Sequence, residues 1–202
     1  MAQMGRPRSF DRAQAVDEAM QLFWRYGYDA TSLSQLKAHI GGGITAPSFY
    51  AAFGSKEGLF KEVVARYMDT HGRVTDPLFD QALEPREAIV TTLKRSARMQ
   101  CDEGNPKGCM VALGILGTCA TDDSNVLEPL RVARARTRAG LLSCIARGIE
   151  RGDLPEGTDA SALAAVFEGF LLGISPMARD GVPQSVIEGA IDHLMTAWSP
   201  GS

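Results

Sequence analysis

Tyr50 and Lys56 stand on either side of a Gly-Ser step in "GGGITAPSFYAAFGSKEGLF", with Thr45 and Ser48 just before them. A phenol hydroxyl, an ammonium and the free N–H groups that open a helix are the donors that grip phosphate oxygens. Thr45, Ala46, Pro47 and Ser48 are small, so the backbone carrying them can approach the edge of a base closely. Upstream, "GRPRSF" sets Arg6 and Arg8 around a proline, an arm suited to an A·T-rich minor groove where negative potential is focused. Thr31 and Ser32, at the start of another expected helix, are also placed for phosphate contact. Each group has a plainer reading. Tyr50 and Phe53 suit the core of a three-helix unit, Arg6 and Arg8 a solvated tail, and Lys56 a surface site in a capping turn.

Other chemistry is thin. Cys101, Cys109, Cys119 and Cys144 are irregularly spaced without a C-x-x-C pair, so neither a disulfide framework nor a zinc site is indicated. His39, His71 and His193 fall on different expected helices, with no nucleophile–base pairing or metal spacing. No enzyme, metal or cofactor is expected.

The elements that position these residues read as helices almost throughout, with no alternating strand. Asp11 caps the first helix, with Gln14 completing a capping box and Phe10 a hydrophobic staple. Val16, Ala19, Met20, Phe23 and Tyr26 line its inner face, and Gly27 stops it. "TSLSQLKAHI" opens on the same Ser32–Gln35 capping pattern and turns Leu33, Leu36 and Ile40 inward. A glycine turn leads to a short helix around Pro47 to Phe53, and Ser55 caps a longer one carrying Leu59, Phe60, Val63, Val64, Tyr67 and Met68. Further helices are expected near 85–102, 108–121, 125–151, 159–180 and 183–198, about nine in all. The breaks between them are rich in Gly, Pro, Asp or Asn.

The fold class is therefore all-α. A three-helix head over 1–55, with its flexible arm, joins a helical bundle over 56–202 through a shared connector helix at 56–82. Two short helices across a glycine turn, braced by a longer one, make a helix-turn-helix, whose second helix enters the major groove. Net charge is −3, but residues 1–66 hold eight Lys/Arg against six Asp/Glu and the remainder thirteen against eighteen. That split fits a DNA-facing head on an acidic body, though shallowly. No stretch is apolar for the length a bilayer requires, and no apolar leader opens the chain, so a cytoplasmic protein with no membrane partner is expected.

At this point the sequence resembles a family. "AVDEAMQLFWRYGYDATSLSQLKAHI", "ITAPSFYAAF" and "GSKEGLF" look like the N-terminal domain of TetR-type transcriptional repressors, over roughly residues 10–65. The resemblance implies a dimeric, ligand-responsive repressor whose C-terminal body binds an effector. It places base recognition at Thr45, Ala46, Pro47 and Ser48, and phosphate binding at Tyr50 and Lys56. The turn "IGGGIT" is two residues longer than the family's usual one. Either the glycines bulge, or the recognition helix shifts in register and the roles of Thr45 and Ala46 change.

In the body, "ASALAAVFEGFLLGI" and "VIEGAIDHLMTAW" are apolar over a face wider than one neighbouring helix needs. Leu163, Val166, Phe170, Ile174, Ile187, Ile191, Leu194 and Trp198 are the candidate homodimer interface, with Gly169, Gly173 and Gly189 allowing close approach. Two-fold symmetry suits a head that reads a palindromic operator. Pro176 should end or kink the eighth helix. "GCMVALGILGTCA" is apolar nearly all round, and Met99, Cys109, Met110, Leu113 and Phe167 are candidates to line a pocket for a small apolar or amphipathic effector. A plain packed core is the competing reading for each. "RVARARTR" is a solvated face or a second nucleic-acid patch. A redox- or electrophile-sensing repressor acting through cysteines is the alternative to ligand release.

Overall fold

The computed structural model describes residues 10–116 and 125–198; Arg6, Arg8 and Cys119 lie outside them. Among the described residues the α-helices are α1 Arg12–Ala30, α2 Leu33–His39, α3 Ala46–Phe53, α4 Lys56–Asp69, α5 Pro85–Cys101, α6 Met110–Leu116, α7 Glu128–Glu150, α8 Ala160–Arg179 and α9 Gln184–Leu194.

Asp11 caps α1 by accepting from the N–H groups of Ala13 and Gln14 at 2.8 and 3.1 Å. No capping box forms, because the Gln14 amide donates to Glu18 instead, at 2.9 Å. Inside, Tyr26 is half exposed while Trp24 is buried. Both lie at edges of the apolar stripe, and the edge that faces α4 and the body is the one that is covered. Periodicity alone does not distinguish the two edges. The Ser32–Gln35 box closes α2 as expected, with bonds of 3.1 and 2.8 Å.

Gly41, Gly42 and Gly43 all take positive φ, 59°, 71° and 97°, a region other residues enter only with strain. The turn bulges there. It is anchored at one end by the Gly41 N–H on Glu18 Oε2 at 2.6 Å, and at the other by the Ile44 N–H on the Lys37 carbonyl at 2.8 Å. Phe49 and Phe53 then seat α3 in the head's core. Arg12 on Glu62, at 2.6 Å, and Arg66 in a two-bond pair with Asp17, at 2.8 and 3.0 Å, hold α1 against α4.

The connector is shorter than expected. α4 ends at Asp69, Thr70 leaves helical geometry, and residues His71–Phe79 form 3-10 turns containing Pro77. Gly72 and Pro77 are poor interior helix residues, so the α-helix cannot run to 82. The head's apolar cluster includes α4 and continues into the body through Met110, Val111, Val126, Leu127, Leu130 and Ala133. A second cluster, from Leu78 to Trp198, is the core of α5, α7, α8 and α9.

Pro176 does not end α8, which continues to Arg179. By length and composition α8 is long and apolar enough to cross a membrane, though its apolar run is interrupted at Glu168. That carboxylate is buried and paired through two bonds of 2.7 and 2.9 Å to Arg138 of α7. Of the arginines of "RVARARTR", Arg131, Arg136 and Arg138 are half exposed, each within 4.0 Å of a carboxylate, and Arg134 lies at the wall of the cavity described below.

Candidate nucleic-acid interface and effector cavity

Thr45 is the N-cap of α3, accepting from the Ser48 N–H at 3.3 Å and donating to Ser48 Oγ at 3.0 Å. With Phe49 and Phe53 buried, Thr45, Pro47, Tyr50 and Ala51 are turned outward, and Ala46 and Ser48 are half-buried beside them. Tyr50 is 50% exposed, so its hydroxyl is available to a partner; Phe53 is the core aromatic of the pair. Gly54 closes α3, and Ser55 caps α4 on the Gly58 N–H at 2.9 Å. A Cβ on Gly58 would lie 2.4 Å from the Phe53 carbonyl oxygen, so the "GSKEG" sequence lets α4 start directly beneath the end of α3. The opening turn of α4 and Tyr50 of α3 therefore present donors on neighbouring elements.

Lys56 is half-buried, with its ammonium 4.2 Å from the centre of the Tyr28 ring. Burial pulls its pKa below the ordinary lysine value, with Asp29 opposing. Its stem is thus packed in place, and it is not a freely solvated surface lysine. Ser32 is exposed at the start of α2. Thr31 is corrected: it is completely buried and its hydroxyl donates to the Gly27 carbonyl at 2.7 Å, closing the end of α1. It has no surface to offer a phosphate.

The second site is a partly open cavity of about 60 Å³ between α4, α5, α6, α7 and α8. Met99 and Cys109 lie on its wall; Met110, Leu113 and Phe167 do not. Met110 turns into the head-side core, Leu113 packs over Gly108, and Phe167 is buried in the body core beside Trp198. Its remaining wall includes Tyr67, Ser96, Gln100, Val111, Ala112, Glu168 and Leu171. Gln100 is buried and fully engaged, donating to Ser96 Oγ at 2.8 Å and accepting from Ser175 Oγ at 2.6 Å. Among the described residues the Tyr67 hydroxyl donates to sulfur, Cys109 Sγ at 3.3 Å and Met99 Sδ at 3.8 Å. Burial first, and then Cys109, push its pKa well above the ordinary tyrosine value, so it stays a neutral donor. Tyr67, Ser96 and Gln100 are missed by sequence reading, because a polar residue among others on a helix gives no sign of facing a cavity. A wider channel of about 1000 Å³, open to solvent, runs along α4 and α7 past Lys61, Arg73 and Glu128.

On α8 and α9 the expected interface divides. Ile174, Ile187, Ile191 and Trp198 are buried in the chain's own core and are not free for a second copy. Their steps of three and four residues mark an apolar face without saying which neighbour covers it. Leu163, Phe170 and Leu194 are half-buried, and Val166 and Val186 are exposed. A Cβ on Gly169, Gly173 or Gly189 would meet nothing within 4 Å. These glycines therefore serve no close approach within the protomer.

The geometry has counterparts. The sequence profile for "Bacterial regulatory proteins, tetR family" matches residues 15–63, from α1 into α4. The transcriptional repressor ComR of Escherichia coli (strain K12) is 33% identical over 195 residues, covering 96% of this chain and 91% of its own. The repressor BdcR of the same strain is 42% identical over 114 residues, 55% of each chain. Among solved structures, a cysteine mutant of the TetR family regulator CifR, complexed with 26 bp operator DNA, has a TM-score of 0.85 at 37% identity, over 96% of this chain and 100% of its own. Full-length similarity of this kind, with the helix-turn-helix and its exposed donors in place, makes this chain a member of the TetR family.

Proposed function

We infer that the protein is a homodimeric transcriptional repressor that binds a palindromic operator and is released by a small effector. The observation that carries the reading is α3: a capped helix with a buried Phe49–Phe53 back, and an outward face of Thr45, Pro47 and half-exposed Tyr50 beside the start of α4. Small residues at the helix start leave room for base edges, while Tyr50, Ser32 and Lys56 supply donors for phosphates. Val166, Leu163, Phe170 and Leu194, with Val186 and the open glycines, are the surface for the second copy. Burying such a strip would place two heads so that they face successive major grooves. The effector enters the cavity behind Met99 and Cys109. A volume of about 60 Å³ holds only a very small molecule, so a larger one requires the surrounding helices to part.

A second reading keeps the repressor and replaces reversible ligand binding with chemistry at cysteine. It is favoured by Cys109 itself, half-buried at the cavity wall with the Tyr67 hydroxyl against its sulfur. Cys101 and Cys144 are weaker candidates, since burial raises both thiols above their ordinary pKa and reduces their thiolate. The neighbouring CifR structures were solved with cysteine mutants bound to operator DNA, which accords with a family member in which cysteines matter.

The test is affinity capture of sheared genomic DNA by the purified protein, with a Tyr50→Ala/Lys56→Ala double variant alongside. Enrichment of one palindromic site by the wild type alone is expected. Equal enrichment by both proteins, or none across low to moderate salt, overturns the assignment of α3 as reader.

A further inference from the structure

Three consecutive residues join the cavity wall to the head: Cys109 lines the cavity, Met110 belongs to the head's apolar cluster, and Gly108 precedes them. The indole N–H of Trp24 in α1 donates to the Gly108 carbonyl at 2.9 Å, in a buried bond. The Tyr67 hydroxyl of α4 donates to Cys109 Sγ at 3.3 Å. The rings of Trp24 and Tyr67 meet edge to face, 4.9 Å apart at 88°, and His71 packs 4.8 Å from Trp24. The body grips the same stretch from the other side. The Cys109 N–H donates to Ser175 Oγ at 3.2 Å, and that hydroxyl is tied to Gln100. Arg179, at the end of α8, donates to the carbonyls of both Trp24 and Lys107 at 3.3 Å.

We propose that this clasp, Trp24 and Tyr67 closed on Gly108–Cys109, is the joint through which a change at the cavity wall moves the DNA-binding head. The proposal rests on the effector-responsive reading above and names its route. Any group added at Cys109, or any occupant that displaces it, meets Tyr67 within van der Waals distance on one side and the Gln100–Ser175 anchor on the other. The anchor is buried and its Gln100 and Ser175 groups bond to one another, so displacement goes toward Tyr67 and Gly108. Moving Gly108 shifts the acceptor of Trp24, and moving Tyr67 shifts α4. Both helices belong to the apolar cluster that seats α3, so the two displacements reach the reading helix together.

The experiment uses the full chain without DNA. The chain has two tryptophans, so Trp198→Phe leaves Trp24 as the reporter. In that background, Cys109→Phe adds bulk at the wall, and Val132→Phe adds it on an exposed face of α7. Trp24 emission and amide exchange of α1 are measured, with Cys109→Met as the milder variant should Cys109→Phe fail to fold. We expect a shifted emission and about tenfold faster exchange over residues 12–30 for the Cys109 variant, the size of one lost buried hydrogen bond, and no change for Val132→Phe. In a Trp24→Phe chain exchange is already raised, and adding the Cys109 variant raises it no further. Unchanged emission and exchange in a folded Cys109 variant, or additive effects of the two changes, overturn the proposal. Failure of operator capture with the clasp responding would instead fault the repressor reading.

Discussion

Gly58 gives a sharp prediction, because two effects of opposite sign meet there. It sits in the first turn of α4, where replacing glycine by alanine normally stabilises a helix by about 1 kcal/mol. Here the new Cβ would lie 2.4 Å from the Phe53 carbonyl oxygen. That oxygen cannot turn away freely, since it accepts the Ser55 N–H at 2.8 Å. A backbone contact so short must be relieved by moving the end of α3 away from α4, at a cost near the top of the overpacking range, about 3 kcal/mol. The clash wins by about 2 kcal/mol, and for a chain of this size the melting temperature falls by roughly 4–8 °C. Thermal unfolding followed by circular dichroism measures it. Because the relief moves α3, operator affinity should fall in the same variant under conditions where it is fully folded. A Gly58→Ala protein with an unchanged or raised melting temperature would refute the argument that this glycine fixes the junction of α3 and α4.

Further outcomes follow from other contacts. Thr31→Val should cost about 1–2 kcal/mol by stranding the Gly27 carbonyl, and leave the salt dependence of operator binding unchanged, as a phosphate-binding threonine would not; both are read by urea unfolding and salt titration. Lys56→Ala should weaken binding to all sequences alike and lower the salt slope by about one, seen by fluorescence anisotropy on specific and random duplexes. Val166→Asp places a charge on the exposed strip of α8, and should give a folded monomer by analytical ultracentrifugation; an intact dimer would move the interface elsewhere. His71 is held below its ordinary pKa of 6.5, chiefly by burial, with Asp102 and Asp17 opposing. The unfolded imidazole therefore takes up a proton before the folded one, so His71 costs no stability above about pH 6.5 and costs increasingly as pH falls toward its folded pKa. Urea midpoints at pH 7.5 and 5.5 should differ less in His71→Asn than in the wild type.

Most of the fold was legible because its signals are local. The Ser32–Gln35 box, the Asp11 and Ser55 caps, and the glycine and proline breaks each act within a few residues, and the apolar steps of α5, α8 and α9 carry their own period. What failed depended on neighbours far along the chain. Trp24 rather than Tyr26 is buried because Gly108, Tyr67 and His71 cover that edge of α1. Thr31 reads as an exposed cap residue until its hydroxyl is seen closing the preceding helix. Ile174, Ile187 and Ile191 share their periodicity with Leu163 and Val166, and only packing separates the inner residues from the outer. In the candidate DNA site, order and spacing placed Thr45 to Ser48, Tyr50 and Lys56 on adjoining elements, because a helix start and the turn after it are sequence-local objects. The cavity was half legible. Sulfur residues hinted at Met99 and Cys109, while Tyr67, Gln100 and Glu168 come together from three helices.

The central claim, that two copies read DNA through α3, is tested most directly by hydroxyl-radical footprinting on the captured site. Two equivalent protected patches should lie on one face of the duplex, about 34–36 Å apart or a multiple of that, and both should disappear with Tyr50→Ala/Lys56→Ala. One unsymmetrical patch, or protection that survives the double variant, would contradict the account.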